Sequence, residues 1–370
     1  MRMLIVSGKD ALQRVVGKTL AVESAVRTLA RSKTEYETKF LYYDRANSLK
    51  TRKAKKTPRS IRQFILNIEK RWGEIDFLLL LGGDSVIPFF RLLNPCQDRD
   101  GVVVSDNPYA SRDSDHAIPE RACARIPDNR SARFIIRQLK KYTGHTRSSF
   151  GMTADTWKSA SRDVYRTVGS IDELKVSPPV TTEMFASTWL KKKRFLYFNL
   201  HGSKESPHWY GQGNGNYPIA VALRNVLKAS GVVATEACYG AWIIDKSSDN
   251  SLALAFLKEK TILALCGSTT IAYGPVVPPA GEADLLIKYF LEYAQKGLTL
   301  GESLRNAKVD FAREMLRRQG FLDDDDTKTL LQFVLYGDPT VRLGIQKIRG
   351  SGHQVKGRKR DKVTGKRRAQ

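Results

Sequence analysis

The chain has 370 residues, more than one hydrophobic core usually holds, so two packed subdomains are expected. Hydrophobic residues make up 41% of it, an ordinary share for a globular protein, and no apolar run reaches the ~18 residues needed to span a membrane. The net charge of +24 is concentrated in residues 45–62 and 347–370, so the remainder is only mildly basic.

The first part of the chain alternates the patterns of strands and helices. Short apolar runs predict strands and apolar residues at helical spacing predict helices between them. The strands are expected at residues 3–6, 40–43 and 77–81, and the helices at residues 10–31 and from residue 58. This order predicts right-handed crossovers and an α/β fold with a mainly parallel sheet. Residues 45–56 lack apolar periodicity, which predicts an exposed basic loop.

An acidic segment follows the third predicted strand. Residues 95–119 contain five aspartates, namely Asp98, Asp100, Asp106, Asp113 and Asp115. The sequence requires no cofactor, and calcium is the one that it allows, because clustered carboxylates are suitable hard ligands. A solvated acidic loop is the favoured alternative.

The second part of the chain continues the alternation. Helices are predicted at residues 156–168, 181–189, 252–257, 283–294 and 304–316, and strands at residues 195–200, 232–237, 261–266 and 333–336. The acidic run 323–326 is interpreted as a solvated loop. Beyond residue 343 Gly, Lys and Arg dominate, which predicts a disordered basic tail over residues 346–370.

Cysteine usage and the amino-terminal segment favour a cytoplasmic protein. The four cysteines, Cys96, Cys123, Cys238 and Cys266, are scattered and lack metal-ligand spacing, which disfavours a disulfide framework or a zinc site. Charged residues interrupt the apolar positions of residues 1–20, so no signal-peptide core is recognised.

Two of the predicted strands end on reactive side chains. The strand over residues 195–200 stops at His201, and the strand over residues 232–237 stops at Cys238. Ligands and chemistry gather at the carboxyl ends of parallel strands, so both side chains are expected in one cleft. A thiol and an imidazole placed together act as a nucleophile and a general acid/base. Taken singly, each has a simpler interpretation, a buried apolar cysteine and a His-Gly turn.

Five short motifs then point to a family. The His-Gly-Ser of residues 201–203 and the Glu-Ala-Cys-Tyr-Gly of residues 236–240 resemble the His-Gly and Ala-Cys motifs of the caspase-like (clan CD) cysteine peptidases. Within that clan, three other stretches resemble the gingipain-like peptidases: residues 78–88 with their Gly-Gly-Asp and Ile-Pro, residues 105–127 with Ser-Asp-Asn-Pro-Tyr and Ile-Pro-Glu, and the Tyr-Gly-Asp-Pro-Thr of residues 336–340.

The resemblance implies a caspase-like α/β/α sandwich made of two subdomains. Residues 1–145 would form a non-catalytic α/β subdomain and residues 146–345 the catalytic one, followed by the tail of residues 346–370. The substrate would be a protein or peptide, hydrolysed through a Cys-His dyad.

The resemblance also implies roles for individual residues. Cys238 would be the nucleophile, and His201 would protonate the leaving amine. Backbone N–H groups of Gly202 and Cys238 would stabilise the oxyanion. Glu120 matches the place of a carboxylate that helps to orient the histidine, and its alternative is a surface glutamate beside Arg121.

Side-chain alternation predicts the specificity. Glu236 lies two residues before Cys238 and therefore projects to the same face of its strand. An unpaired buried carboxylate is costly, so a basic substrate residue at P1 would relieve that cost and cleavage after Lys or Arg is predicted. Alternatively, Glu236 pairs with a lysine of the fold; the resemblance also leaves asparagine open at P1, because an asparagine-specific branch of the clan carries Glu at this place. The other walls of the pocket are predicted from position to be Ser268, Thr269, Thr270 and Tyr273.

Three further hypotheses follow from the same patterns. If P1 is basic, the loop 45–56 and the tail are candidate sites of self-processing. A nucleic-acid-binding protein is the competing class, since the tail would associate with phosphates non-specifically but has no aromatic residue for base stacking. A pseudo-peptidase that serves as an interaction module is the third, and the intact Cys238 and His201 pair disfavours it.

Overall fold

The computed structural model describes residues 1–140, 146, 148–186 and 188–344. The predicted subdomain boundary near residue 145 and the predicted tail over residues 346–370 lie outside the described residues. Within them, the strands of the first half are β1 (Arg2–Ser7), β2 (Glu37–Tyr42), β3 (Phe77–Leu81), β4 (Phe90–Leu93), β5 (Val102–Ser105) and β6 (Ala122–Ile126).

The strands of the second half include the two that end on the candidate site residues. They are β7 (Phe150–Ala154), β8 (Lys175–Ser177), β9 (Phe195–Asn199), β10 (Trp209–Tyr210), β11 (Ile219–Val221), β12 (Ser230–Thr235), β13 (Thr261–Ser268) and β14 (Phe333–Gly337).

The helices are α1 (Lys9–Val16), α2 (Leu20–Ser32), α3 (Pro58–Trp72), α4 (Asn107–Ala110), α5 (Ala132–Leu139), α6 (Lys158–Tyr165), α7 (Leu252–Lys258), α8 (Glu282–Gln295), α9 (Leu300–Gln319) and α10 (Asp324–Gln332). None of the described helices is both long enough and apolar enough to cross a membrane.

Ten of the described strands form one sheet that passes through both halves of the chain. Their order is β2-β1-β3-β6-β14-β13-β12-β9-β7-β8, and all neighbours are parallel except β13 and β14. The predicted α/β fold with a mainly parallel sheet is confirmed. Because β14 reverses the direction, the carboxyl ends of β9, β12 and β13 share an edge of the sheet with the amino ends of β14 and β6. We call this the catalytic edge.

Helices cover both faces of the second half of the sheet. Phe195 and Tyr197 of β9 pack on the side of α6, α8 and α9. Leu196 and Phe198 alternate to the other side, where they pack with α7 and with Trp209 of the β10–β11 hairpin. This alternation buries every residue of β9, as expected for an interior strand of an α/β sandwich.

A buried polar network joins the two halves. Arg125 of β6 donates to both oxygens of Asp106, at 2.9 and 2.5 Å, and to the carbonyl of Gly82 at 2.8 Å. Lys308 of α9 donates to the side-chain oxygen of Asn107 at 2.6 Å. The Lys308 contact crosses between the halves, so the Ser-Asp-Asn-Pro-Tyr motif stabilises their junction, while Arg125 joins that motif to the Gly-Gly-Asp motif within the first half.

Three predicted elements were wrong in detail. The helix over residues 10–31 is two helices, because Gly17 ends α1 in the left-handed region at φ 75°. Residues 181–189 form turns where they are described. The acidic run 323–326 begins α10: Asp323 caps the helix by accepting from the amide of Asp326 at 2.8 Å, and acidic side chains stabilise a helix amino terminus.

Candidate active site

Two neighbouring strands bring the cysteine and the histidine to one edge. β9 and β12 are parallel, with Phe198 opposite Thr235, so His201 and Cys238 follow the paired ends by a similar distance. Gly202 lies directly against the carbonyl oxygen of Cys238, where a β-carbon would collide with it. A glycine is therefore required after His201 for the two loops to meet.

A tight turn presents Cys238. The next residue, Tyr239, is left-handed at φ 56°, a conformation that costs a non-glycine residue about 1 kcal/mol. The turn is held by the Tyr239 amide, which donates to the Thr270 carbonyl at 2.9 Å, and by the Tyr239 hydroxyl, which donates to Asp100 at 2.6 Å. The sulfur of Cys238 accepts from the amide of Ala272 at 3.4 Å. These contacts fix the nucleophile before substrate arrives.

The cysteine rests as a thiol. Burial raises the pKa of Cys238 above its ordinary value, and the Ala272 amide opposes this rise only in part. The side chain therefore needs a base to release its proton when it reacts.

His201 is oriented by a neighbouring hairpin. Its backbone pairs with Tyr210 in both directions at 2.9 Å, and its Nε2 donates to Oε1 of Gln212 at 2.7 Å. The Trp157 ring lies 4.4 Å and the Tyr217 ring 5.3 Å from the imidazole, centroid to centroid. Since the amide oxygen of Gln212 can only accept, the Nε2 atom bears the proton and Nδ1 is left for proton transfer. Burial lowers the pKa of His201, so the imidazole is neutral at neutral pH.

Two backbone amides are free for a developing negative charge. Neither the Gly202 N–H nor the Cys238 N–H donates to a described residue, apart from the contact of the Cys238 amide with its own sulfur. The two residues lie against each other, so these donors belong to one small region beside the nucleophile.

Comparison with known proteins assigns the family. A model of peptidase family C25, the gingipain family of clan CD, matches residues 1–344. The chain belongs to peptidase family C25. The resemblance inferred from the motifs is thereby confirmed, and membership in C25 makes the chain a cysteine peptidase, a hydrolase that acts on proteins or peptides.

Solved structures share the C25 fold at low identity. The crystal structure of the Arg-specific cysteine proteinase gingipain R (RgpB) superposes with a TM-score of 0.64 and 14% identity, over 92% of this chain and 78% of the other. The complex of the Porphyromonas gingivalis RgpB pro- and mature domains superposes with a TM-score of 0.64 and 12% identity, over 93% of this chain and 80% of the other. A third structure, described only as a protease, gives 0.61 and 16%, over 93% and 78%. Comparison with curated protein sequences gives no match.

Glu120 does not join this C25 site. Its carboxylate accepts from the amide of Arg112 at 2.8 Å, just before β6. Strand β6 is four strands from β9, or about 19 Å at the usual spacing. Gln212 is instead the partner of His201, and the sequence analysis missed it because a glutamine in a hairpin loop has no distinguishing pattern.

A buried pair of carboxyl groups lies under the catalytic edge. Glu236 accepts from the Tyr197 hydroxyl at 3.2 Å, while its Oε1 has no hydrogen-bond partner among the described residues. Asp284 of α8 is its acidic neighbour and accepts from Asn199 at 3.3 Å. Burial, reinforced for Glu236 by the Asp284 carboxyl, raises the pKa of Glu236 and, with other acids nearby, that of Asp284.

No basic side chain of the described residues forms an ion pair with either carboxyl group of this pair. The alternative that Glu236 pairs with a lysine of the fold is therefore wrong within the described part. Gly274 lies over Asp284 in an exposed loop, and a β-carbon there would contact an Asp284 oxygen at 2.5 Å. The acidic pair thus lies directly beneath the exposed residue Gly274.

The other predicted pocket residues have different partners. The hydroxyls of Ser268 and Thr270 donate to Oε1 of Gln332 at 2.9 and 2.5 Å, and that of Thr269 donates to the Val104 carbonyl at 2.5 Å. All three residues are buried, so their side chains fasten the end of β13 to α10 and β5. The structure does not place these hydroxyls in a pocket.

The acidic loop of the first half holds the catalytic loops. Lys328 of α10 is fully buried and forms ion pairs with Asp98 and, at 2.8 Å, with Asp100. Asp98 also accepts a hydrogen bond from the Tyr273 hydroxyl. This hydroxyl is therefore already engaged and is not free to bind a substrate in a pocket. We call Asp98, Asp100 and Lys328 the clamp.

The clamp corrects the prediction of a solvated acidic loop. Asp98 and Asp100 are largely buried, as is Asp106 in its pair with Arg125, and only Asp113 and Asp115 are exposed. Across the described residues, no group of three or more His, Cys, Asp or Glu side chains could hold a metal ion. Calcium binding, which the sequence allows but does not require, stays an untested prediction, and Lys328 already supplies a counter-charge to both clamp aspartates.

Proposed function

We propose that the chain is an endopeptidase that cleaves after Lys or Arg with Cys238 as nucleophile and His201 as general acid/base. The observation that supports the dyad is that the loops after β9 and β12 meet at Gly202, beside two backbone N–H groups that donate to no other described residue. The observation that supports the specificity is the buried Glu236 and Asp284 pair, which has no cation in the described fold.

The reaction follows from the resting protonation states. When the scissile carbonyl lies beside Cys238, Nδ1 of His201 takes the thiol proton as sulfur attacks the carbonyl carbon. The Gly202 and Cys238 amides donate to the oxyanion, and the imidazolium then gives its proton to the leaving amine. Water, deprotonated by the same imidazole, attacks the thioester carbon, and the thiolate leaves and recovers the proton. Each proton in these steps is carried by the thiol, the imidazole or water.

The acidic pair would select the P1 residue by charge. One buried carboxylate near an ammonium or guanidinium group gains a charge-assisted hydrogen bond, whereas a neutral P1 side chain leaves that carboxyl without a partner. A basic P1 side chain that reaches Glu236 also favours loss of the proton that the pair retains in the free protein. Discrimination thus comes as much from the penalty for a wrong residue as from the gain for the right one.

The dyad is tested with peptides that differ only at P1, carrying Arg, Lys, Asn, Asp or Met. We expect turnover after Arg or Lys, and a loss of about 10⁴-fold or more in kcat for Cys238→Ala or His201→Ala. Activity that survives in Cys238→Ala would refute the proposed nucleophile. A wild type that folds but cleaves none of the peptides would favour the pseudo-peptidase alternative.

Self-processing is a further proposal from the same specificity. Residues 45–56 form a loop in which Arg52, Lys53, Lys55 and Lys56 are exposed, so a basic P1 is available on the surface. Incubated wild type should yield new termini that end in Lys or Arg, and Cys238→Ala should yield none. Identical products from both proteins would show that another protease is responsible.

A further inference from the structure

A cavity lies at the opposite edge of the sheet from Cys238. It is bounded by the amino ends of three strands, at Arg194 before β9, Ser230 and Gly231 in β12, and Thr261 in β13, and its volume is about 410 Å³. Because β9 and β12 run from this cavity to the catalytic edge, their lengths separate it from the dyad. We call it the basal cavity.

The wall of the basal cavity is basic. Its described lining contains Lys191, Lys192, Lys193, Arg194 and Lys228 and no acidic residue. None of these five side chains forms an ion pair with a described residue. The nearby carboxylate of Glu259 accepts from the backbone amide of Lys228 at 2.9 Å and leaves the lysine side chain unpaired.

Arg194 is a buried charge without a counter-charge. Its residue is only 7% exposed, its Nε donates to the neutral amide of Gln295 at 3.1 Å, and its Nη2 has no acceptor among the described residues. Burial lowers the pKa of this guanidinium, and no acidic residue opposes the effect. A buried charge that lacks a partner destabilises a fold, so an anion beside it would be strongly favoured.

The basic wall is preformed. The amide of Lys193 donates to the Ser230 hydroxyl at 2.6 Å, and the amide of Arg194 donates to the Ser148 carbonyl at 2.8 Å. Gly231, at φ 98°, lets the carbonyls of Lys193 and Arg194 approach to 2.5 Å from where its β-carbon would be. The backbone of this cationic run is thus held in place at Lys193 and Arg194.

The chain itself offers no acidic segment for this cavity. Leu343 and Gly344 line it, and the sequence that continues from them carries ten Lys or Arg against Asp361 alone. The residues that follow therefore supply no net negative charge. The counter-charge must therefore come from another molecule.

We propose that the basal cavity binds a compact, multivalent anion of the phosphate class. A phosphate oxygen accepts equally from a guanidinium fork and from several ammonium groups, and a chain of two or three phosphoryl groups offers charge to match the wall. The cavity is too small for a folded partner. This site is distinct from the dyad and does not depend on the proposed peptidase specificity.

Calorimetry tests the proposal on full-length Cys238→Ala, titrated with inorganic tripolyphosphate at physiological ionic strength. We expect saturable 1:1 binding that weakens by at least about tenfold in a second variant carrying Arg194→Gln and Lys193→Gln as well. The matched control replaces Lys53 and Lys55 of the exposed loop with Gln, which removes the same charge and should leave binding unchanged. ATP as a second titrant distinguishes a nucleotide from a free polyphosphate, and either result supports phosphate chemistry.

Thermal unfolding supplies a readout that does not rely on affinity. Tripolyphosphate should raise the Tm of Cys238→Ala, and Arg194→Gln should raise the Tm without anion and cancel the effect of adding it, because the unpaired charge is gone. The proposal is overturned if the control variant loses binding equally, if deleting residues 346–370 abolishes it, or if an acidic peptide binds more tightly than tripolyphosphate.

Discussion

The two edges of the central sheet contain unpaired buried charges of opposite sign. At the catalytic edge, Glu236 and Asp284 are buried together without a cation. At the other edge, Arg194 is buried without an anion. Several other buried charges have a partner within the described fold: Arg125 is paired with Asp106 and Lys328 with the clamp aspartates, and Lys308 donates to Asn107 and to the Phe333 carbonyl. We infer that the paired charges stabilise the fold, and that Glu236 and Arg194, each with a polar atom that has no hydrogen-bond partner among the described residues, await a ligand.

Breaking a completed pair should give the largest loss of stability. Lys328→Met leaves Asp98 and Asp100 buried without their counter-charge, and we expect the free energy of unfolding to fall by about 3–5 kcal/mol. Urea denaturation measures this loss. Lys258→Met is the matched control, because its pair with Asp249 is exposed and is expected to change stability by less than about 1 kcal/mol. Equal effects of the two variants would show that the clamp is not a stabilising pair.

The hydrogen-bond partner of His201 is the neutral side-chain amide of Gln212 and not a carboxylate. Gln212→Glu places a negative charge at Nε2 and should raise the pKa of His201, moving the acid limb of the kcat/KM profile to higher pH by about one unit. The sign follows because protonated His201 cannot accept the thiol proton. Gln13→Glu, on an exposed position of α1, is the control and should leave the profile unchanged. A profile that stays in place for Gln212→Glu would contradict the observed hydrogen bond.

The smallest predicted effect is on stability, which the burial of the acidic pair lowers at high pH. Folding raises the pKa of Glu236 from about 4.5, so the folded protein holds a proton that the unfolded chain releases. This contribution to stability is complete below pH 4.5 and is lost as the pH rises through the raised pKa. Glu236→Gln should therefore be more stable than wild type at pH 8, by about 1 kcal/mol, and close to it at pH 4. Thermal unfolding at both pH values checks the sign, and a variant less stable at pH 8 would contradict it.

The sequence predicted what depends on local pattern. Cys238 and His201 were predicted to share one edge because each follows an apolar strand, and the two strands do lie side by side in the sheet. Glu236 was placed by alternation along the same strand. These predictions use neighbouring residues only, which is why they needed no knowledge of the folded chain.

The sequence could not predict contacts made by distant segments. Asp100 was interpreted as a solvated loop residue because Lys328, its partner, lies 228 positions further on. Asp284 reaches Glu236 only because α8 packs on β12, and Gln212 reaches His201 only because a hairpin folds back. Glu120 was assigned from motif position alone, and the sheet order separates it from the dyad.

The measurement that tests the account most directly is kcat/KM of wild type and Glu236→Gln on two peptides that differ only in Arg or Met at P1. We predict that the variant loses at least about 10²-fold on the Arg peptide and little on the Met peptide. Glu205→Gln, an exposed position near His201, is the control and should match wild type. An unchanged preference for Arg in Glu236→Gln would contradict the claim that the buried acidic pair awaits a basic substrate.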